Sequence, residues 1–264
     1  MEPLLAYFGH HKCGTTFITS FTARLCERLG LVKFHSHAEH VFGGNIQEYR
    51  ARNPFDFWIC TNADYEQVRL VDIRGFHLIR DPRDLIVSAY FSHMHSHDDS
   101  VWPRLRAFRP YLRSLSKSDG LIAEMRFCAP FLMEMLHWNY RDSRILELRF
   151  EEMVAAPDAM LVRACDHLGL LEKASEAVVR EIAAELSFAR LSGGRAPGEE
   201  DLGHHYRKGV PGDWRNHFEE RHMAEFQRLY GALLIDTGYE ADAKWSQPAR
   251  GLKVFSFRRG DRVR

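Results

Sequence analysis

The stretch from Leu4 to Leu29, LLAYFGHHKCGTTFITSFTARLCERL, decides the fold of this chain. Its apolar start, Leu4–Phe8, predicts a buried strand, Gly9–Gly14 form a compact basic loop, and helical periodicity begins at Thr15. A strand that turns through glycines into a helix directs unpaired backbone N–H groups and the positive helix end at one point. Lys12 adds a full charge there, so the stretch predicts a phosphate site.

This loop is close to the P-loop that binds nucleoside triphosphates, but its lysine is displaced. In G-x-x-x-x-G-K-[ST] the lysine follows the second glycine and reaches the β- and γ-phosphates, while the hydroxyl holds magnesium. Here Gly9 and Gly14 keep the glycine spacing and Thr16 keeps the hydroxyl. Thr15 occupies the lysine position, and Lys12 precedes the second glycine. The loop therefore predicts an anion site without the lysine and magnesium arrangement of a triphosphate site.

Composition narrows the class of protein. The chain has 264 residues, enough for one large α/β domain, and its 36 Lys and Arg balance its 36 Asp and Glu, so no global basic field favours nucleic acid. We find no signal peptide and no apolar run of membrane-spanning length, which predicts a cytoplasmic protein without stable membrane insertion. The cysteines are Cys13, Cys26, Cys60, Cys128 and Cys165. Because they are scattered and odd in number, they argue against a disulfide framework and against a thiolate zinc site.

Strand and helix patterns alternate along the chain, as expected for an α/β domain with a central parallel sheet flanked by helices. The predicted strands are Leu4–Phe8, Leu31–Phe34, Phe57–Cys60, Gly75–Ile79 and Arg144–Phe150. The predicted helices are Thr15–Leu29, Asp64–Leu70, Arg83–Ser92, Gly120–Tyr140 divided near Pro130, Met160–Leu168, Ala174–Leu186 and one holding Phe218, Phe226, Leu229 and Leu233.

A second informative stretch, RDPRDLIVSAYFSHMHSH, starts at Arg80 directly after a predicted strand. Arg80 therefore stands at the carboxyl end of that strand, where open α/β sheets bind ligands. Asp81 and Pro82 predict the start of a helix, as its N-cap and first residue. Ser88 falls outside the apolar stripe of this helix. An arginine and a serine at one strand-to-helix junction can hold a phosphate.

The third informative stretch, HHYRKGVPGDWRNHF, runs from His204 to Phe218 after a loop rich in Gly, Pro and charge. Arg207 and Lys208 flank Gly209, so the backbone can approach an anion that both side chains neutralise. Asp213 is predicted to cap the helix that follows.

In this order and spacing, the three stretches resemble those of the sulfotransferases that use 3′-phosphoadenosine-5′-phosphosulfate, PAPS. HHKCGTTF is similar to P-K-S/A-G-T-T-W around the 5′-phosphosulfate, and RDPRDLIVSAYF is similar to the strand and helix that bind the 3′-phosphate. RKGVPGDWRNHF is similar to R-K-G-x-x-G-D-W-K-N-x-F. The resemblance implies a P-loop-NTPase-like sulfotransferase fold in one α/β domain over residues 1–250, followed by a basic tail over residues 251–264.

The resemblance also implies roles for the matching residues. Lys12 would contact the sulfonate and the leaving 5′-phosphate, and the following loop would supply N–H and hydroxyl donors. Other residues would hold the 3′-phosphate or contact the adenine. The implied cofactor-binding residues are Lys12, Cys13, Gly14, Thr15 and Thr16 in the loop, Phe17, Ser187 and Phe188 at the adenine, and Arg80, Ser88, Arg207, Lys208 and Gly209 at the 3′-phosphate. Magnesium is not implied, because PAPS has no β- or γ-phosphate.

The implied reaction is in-line transfer of a sulfonate to a hydroxyl or amine, with release of adenosine 3′,5′-bisphosphate. It requires a base that takes the acceptor proton. Cytosolic family members carry a histidine in a K-T-H-L-P-like strand, but Asn62 stands in that position here and cannot be the base. A glycan-acting branch carries a glutamate in a segment like Q-E-I-H-F-F, which AEHVF at 38–42 resembles. This predicts Glu39 as the catalytic base, with His40 and His37 as alternatives.

Three interpretations of the function stay open at this point. The leading one is a PAPS-dependent sulfotransferase acting on a small molecule, a lipid headgroup or a carbohydrate. The second is an ATP- and magnesium-dependent P-loop phosphotransferase, which the threonine at position 15 disfavours. The third is a catalytically silent nucleotide-binding protein, suggested by Asn62. The oligomeric state is undecided, because Glu219 and Glu220 replace the Thr-Val of the cytosolic family's dimer motif.

Two groups of histidines could be interpreted as metal sites: His35, His37 and His40, and His93, His95 and His97. Neither group brings a cysteine or a clear set of carboxylates, so no metal ligand is assigned. Cys13 beside Lys12 could act as a nucleophile if its pKa were lowered. We interpret Cys13 instead as a small loop residue in the position where the family has serine or alanine.

Overall fold

Five parallel strands form the centre of the molecule, in the order β2-β3-β1-β4-β5. The computed structural model describes residues 2–37 and 45–246. The strands are β1 Leu4–Gly9, β2 Lys33–His37, β3 Phe57–Thr61, β4 Ile73–Ile79 and β5 Ile145–Arg149. Because all the paired strands run parallel, their carboxyl ends lie at one edge of the sheet. The predicted α/β fold with a central parallel sheet is confirmed.

Helices flank this sheet in the described part of the chain. They are α1 Thr15–Leu29, α2 Ile46–Arg52, α3 Tyr65–Val68, α4 Pro82–Phe91, α5 Pro103–Ser114, α6 Lys117–Phe127, α7 Ala129–His137, α8 Phe150–Ala155, α9 Pro157–His167, α10 Glu176–Glu185, α11 Phe188–Leu191 and α12 Glu220–Asp236. A π-helical turn, Ser92–Ser96, extends α4, and 3₁₀ turns cover Asp213–Asn216 and Ala243–Ser246.

The opening strand, loop and helix form as the sequence predicts. The side chains of β1 are almost all buried, and α1 turns Phe17, Phe21 and Leu25 into the core. Gly14 has a φ of 80°, and a Cβ there would lie 2.9 Å from Cε of Met153. The left-handed backbone therefore favours glycine at the point where the loop enters α1.

Strand β2 was predicted at Leu31–Phe34 but runs from Lys33 to His37. The prediction was wrong because β2 is an edge strand whose residues are mostly exposed, so it lacks the apolar run of the inner strands. Pairing fixes its position instead, since Lys33 lies opposite Phe57 and His37 lies opposite Thr61.

Other departures follow from local chemistry. Helix α5 was not predicted, and its sequence contains Pro110. The predicted helix at 120–140 is divided at Cys128, and Pro130 lies in the first turn of α7, where a missing N–H is tolerated. Asp213 does not cap α12, and Glu219 caps that helix instead. The Asp213 carboxylate pairs with cationic side chains that are described below.

No helix in the described ranges is long and apolar enough to cross a membrane. All five cysteines are buried and free. The predicted basic tail over 251–264 and the predicted base Glu39 with His40 lie outside the described residues.

Candidate active site

A cavity of about 480 Å³ opens at the carboxyl edge of the sheet. It brings together the three stretches that the sequence singled out, although they lie far apart along the chain. Its lining includes every predicted cofactor-binding residue except Cys13: Lys12, Gly14, Thr15, Thr16, Phe17, Arg80, Ser88, Ser187, Phe188, Arg207, Lys208 and Gly209.

Lys12 lies in the loop between β1 and α1 with a left-handed φ of 61°. Its Nζ donates a hydrogen bond to Oγ of Ser92, 2.9 Å away, just beyond α4. Burial lowers the pKa of Lys12 to about 8, and the nearby cation of Arg80 adds to this effect. A half-buried cation in this setting favours an anionic partner.

The side chain of Cys13 points away from the cavity into the core formed with α4, α6, α7 and α12. Its thiol lies 3.6 Å from the backbone oxygen of His11. Burial raises the pKa of Cys13 to about 12, so the thiolate needed for a nucleophile does not form near neutral pH. Only the backbone of Cys13 is available to a ligand.

Arg80 follows β4 and is 8% exposed. One of its terminal nitrogens donates to the backbone oxygen of Lys12 at 3.2 Å, and its guanidinium lies 4.3 Å from the ring centre of Phe150. Its Nε is buried without a hydrogen-bond partner among the described residues. A buried guanidinium with an unused donor is suited to an anion.

Helix α4 begins beside Arg80 as predicted, because the Asp81 side chain accepts the backbone N–H of Arg83 and Pro82 is the first helical residue. Ser88 is half-buried and lines the cavity, whereas its apolar neighbours in α4 are buried in the core. The helix therefore presents one hydroxyl to the same space as Arg80.

The loop that carries Arg207 and Lys208 is fixed by two buried carboxylates. Asp213 accepts from Arg207 at 2.5 Å and from Lys208 at 2.6 Å. Burial alone would raise the pKa of Asp213, but its hydrogen bonds from the surrounding donors outweigh burial and hold that pKa well below its usual range. Asp84 of α4 accepts the backbone N–H groups of Gly212 and Trp214, which ties this loop to the helix beside Arg80.

Gly209 packs against Phe188, one of the predicted adenine contacts. It has a φ of 67°, and a Cβ there would lie 2.4 Å from the Phe188 ring. Ser187 and Phe188 begin α11, and Phe188 also lies against the guanidinium of Arg195 at 5.7 Å. Glycine at position 209 is therefore required both by the backbone and by the packed ring.

Several cavity residues were missed by the sequence analysis. His205 lies 3.0 Å from the hydroxyl of Thr16, so it joins the first turn of α1 to the loop before Arg207. His11 and His97 line the cavity next to Lys12. A polar residue within a matching motif, such as His11 in HHKCGTTF, was the one signal that could have identified them.

His37, an alternative to Glu39 as the base, lies at the end of β2 and is separated from β1 by β3. Thr61 is paired in register with Gly9 and with His37, and Nδ1 of His37 lies 2.7 Å from the Thr61 hydroxyl. Asn62 follows with a left-handed φ of 56°. Of the three candidates for the base, His37 is the one within the described residues, at the end of β2 that leads towards Glu39 and His40.

Known proteins resemble the chain in both sequence and fold. The sequence profile of the sulfotransferase domain family matches residues 65–238, two-thirds of the chain. The fold is similar to the crystal structure of mouse sulfotransferase SULT7A1 complexed with PAP, with a TM-score of 0.60, 18% identity, and 88% of this chain and 84% of that chain covered.

It is also similar to retinol dehydratase in complex with androsterone and inactive cofactor PAP, with a TM-score of 0.52, 16% identity, and 89% and 82% covered. No curated protein sequence matches the chain significantly. Because the family profile matches well over half of its length, the chain belongs to the sulfotransferase domain family.

Proposed function

We propose that this protein transfers a sulfonate group from PAPS to a hydroxyl or amine of an acceptor and releases adenosine 3′,5′-bisphosphate. One observation carries this proposal. Four cationic side chains from three separate stretches, Lys12, Arg80, Arg207 and Lys208, line a single cavity. The donor carries anionic groups at both ends of its ribose, so it requires cations distributed along a site in this way.

The two anionic ends of the donor would bind at different parts of the cavity. The 5′-phosphosulfate would meet the loop before α1, where Lys12, the backbone N–H groups of Gly14 and Thr15, and the Thr16 hydroxyl offer donors. The 3′-phosphate would meet Arg80 and Ser88, and Arg207, Lys208 and Gly209 would complete its binding site. The unused Nε of Arg80 supports this assignment.

The adenine would lie against aromatic side chains of the same cavity. Phe17 in the first turn of α1 and Phe188 in the first turn of α11 both line it, and Ser187 precedes Phe188. Base–aromatic stacking is worth about 1–3 kcal/mol per base. The PAP in the two similar structures is the product expected from such a donor and supports the proposal.

We assign the catalytic base to Glu39, with His40 and His37 as alternatives. Lys12 would stabilise the negative charge that develops on the leaving 5′-phosphate while the base takes the acceptor proton. The place of His37 beside Thr61, in register with the strand end that leads to Lys12, supports a base in this region.

The acceptor would be a small molecule, a lipid headgroup or a carbohydrate. The androsterone in one similar structure supports a small-molecule acceptor. We further propose a single sulfotransferase domain over residues 1–250 and a cytoplasmic location, which the five free cysteines support.

The test is calorimetric titration of the full chain with adenosine 3′,5′-bisphosphate and, separately, with ADP and magnesium. The bisphosphate should bind more tightly than ADP, and Arg80→Ala should weaken it by at least tenfold. Arg74→Ala is the matched control, because Arg74 lies on β4, the strand that Arg80 follows, but is exposed and does not line the cavity.

Tighter binding of ADP with magnesium would overturn the proposal in favour of a phosphotransferase. Bisphosphate binding without sulfonate transfer to any acceptor in a panel of phenols, steroids and sugars would favour the silent nucleotide-binding protein. Equal binding by the Arg80→Ala and Arg74→Ala variants would refute the assignment of Arg80.

A further inference from the structure

Three histidines from two separate elements converge next to Lys12. His11 lies in the loop after β1, His93 lies in the π-helical turn after α4, and His97 directly follows that turn. Each can offer one ring nitrogen, and these nitrogens lie within 4.8 Å of one another. Nε2 of His11 and Nε2 of His93 are 3.0 Å apart.

We propose that His11, His93 and His97 form a binding site for a divalent transition metal ion of the zinc class, with a fourth coordination position open to the cavity. This site is separate from the residues assigned to the sulfonate donor. It differs from both histidine groups that the sequence suggested, because His95 is exposed and is not part of it.

The spacing of the nitrogens needs little change to hold such an ion. With zinc–nitrogen bonds of 2.0–2.1 Å, two nitrogens of a tetrahedral site lie about 3.3 Å apart. The observed 3.0 Å between His11 and His93 has to open by only a few tenths of an ångström. His97 is half-buried directly after the turn, and its ring nitrogen lies within 4.8 Å of the other two, so its side chain would have to move closer to complete the site.

A buried carboxylate supports His93 from behind. Oε1 of Glu124 lies 2.7 Å from Nδ1 of His93, and both residues are fully buried. This bond places the Nδ1 proton towards Glu124 and leaves the Nε2 lone pair facing His11. Histidine ligands of metal ions commonly donate their second ring N–H to a carboxylate in this way.

The Glu124 carboxyl group has one oxygen that forms no hydrogen bond with the described residues. Its Oε1 accepts from the thiol of Cys128 at 3.1 Å, and its Oε2 is buried with no hydrogen-bond partner in the ranges that the structure covers. An isolated buried carboxylate is costly, and a dication on the far side of His93 would offset that cost.

Aromatic rings and an arginine hold the cluster in place. Phe131 stacks on His11 at 4.5 Å, and the Trp102 ring lies within 5.4 Å of all three imidazoles. Arg109 donates to the backbone oxygens of His93 and His97, so it fixes the turn that presents them. Preorganised ligands in a largely apolar shell are the arrangement that a metal site requires.

Two residues of the cluster connect the ion to the cavity. His11 and His97 line the cavity, whereas His93 is fully buried. The fourth coordination position would therefore face water or an acceptor oxygen.

The experiment is titration of the tag-free, chelator-treated full chain with zinc, followed by calorimetry and metal analysis after dialysis. We expect one equivalent to bind. His97→Ala should weaken binding at least 100-fold, Glu124→Gln should weaken it 10- to 100-fold, and the exposed control His95→Ala should leave it unchanged. His97 is chosen because truncation of the fully buried His93 could prevent folding.

Cobalt(II) provides a second measurement. A three-histidine site with an open position should give the visible d–d bands of four- or five-coordinate cobalt without the near-ultraviolet band of a thiolate ligand. A thiolate band that disappears in Cys128→Ser would move the ion to the deeper group of His93, Glu124 and Cys128 and overturn the proposal.

The proposal is also overturned if no stoichiometric zinc binds. The Glu124, His93 and His11 chain would then serve as a buried proton relay. Zinc binding that survives His97→Ala but is lost in His37→Ala would place the ion at the end of β2 instead and would equally overturn it. None of these readouts depends on the sulfonate donor, so they test the metal site independently of the proposed function.

Discussion

The Gly209→Ala variant tests the contact between the loop after α11 and the proposed adenine site. Gly209 has a φ of 67°, and a left-handed conformation costs a residue with a Cβ about 1 kcal/mol or more. The new Cβ would also lie 2.4 Å from the Phe188 ring, against an ordinary contact of at least 3.4 Å. The ring must therefore retreat by about 1 Å.

Gly193→Ala is the matched control for this variant. Gly193 has a similar φ of 78°, but a Cβ there would meet nothing within 4 Å. Backbone strain alone should cost each variant about 1 kcal/mol of stability, which corresponds to a fall of about 2–4 °C in the unfolding temperature, and Gly209→Ala should lose more because of the clash with Phe188. The difference between them therefore isolates the displacement of Phe188 from the backbone strain.

The assay is calorimetric titration with adenosine 3′,5′-bisphosphate. Stacking of a base on an aromatic ring is worth about 1–3 kcal/mol, and loss of about 1.4 kcal/mol is a tenfold loss of affinity. We expect Gly209→Ala to bind the bisphosphate at least tenfold more weakly than Gly193→Ala. Equal affinities would mean that Phe188 does not contact the adenine, and the assignment of Ser187 with it would fail.

Four further predictions concern protonation, catalysis and coupling. The pKa of Asp213 is held well below its unfolded value, so its contribution to stability is present above about pH 4 and is lost as the pH falls further. Asp213→Asn should lower the free energy of unfolding by about 2 kcal/mol at pH 7 and weaken the dependence of that free energy on pH below pH 4. The five buried thiols should resist alkylation at pH 7 until the chain unfolds, and rapid labelling of Cys13 in the native protein would contradict its burial. Cys13→Ala should retain bisphosphate binding. Glu39→Gln should abolish sulfonate transfer and leave bisphosphate affinity within twofold, whereas retained transfer would reassign the base to His40 or His37. Zinc and the bisphosphate should each tighten the binding of the other, because an anion bound to Lys12 neutralises the positive charge that opposes a cation at His11. Independent binding in a paired titration would show that the two sites are not coupled.

The parts of the fold that the sequence predicted are those in which local pattern and burial agree. The strand, loop and helix around Lys12 have an apolar run, two spaced glycines and a four-residue helical repeat, and the bounds of α1 match those predicted. Strand β2 was misplaced because an exposed edge strand has no such pattern, and only its pairing with β3 defines it.

The cavity could be predicted for a similar reason. Arg80 and Ser88 lie at a strand-to-helix junction, and parallel strands deliver all such junctions to one edge. The pairing of Arg207 and Lys208 with Asp213 could not be predicted, because Asp213 lies where a helix cap is expected and its actual partners depend on how the loop folds back. Local sequence identified the charges of the site, and tertiary structure determined which of them neutralise one another.

The histidine cluster shows where motif reading fails. An alternating pattern groups His93 with His95 and His97, as it would on a strand, but His93 and His95 lie in a π-helical turn that ends at Ser96, and His97 follows it in an extended conformation. That geometry selects His93 and His97, rejects His95, and leaves a place for a third ligand that comes from His11, 82 residues earlier than His93. The buried Glu124 is the decisive residue, because its carboxyl group lies behind His93, where the second ring nitrogen of a metal-bound histidine commonly finds its partner. A positive charge nearby stabilises a buried carboxylate, and a cation at the three imidazoles would add one.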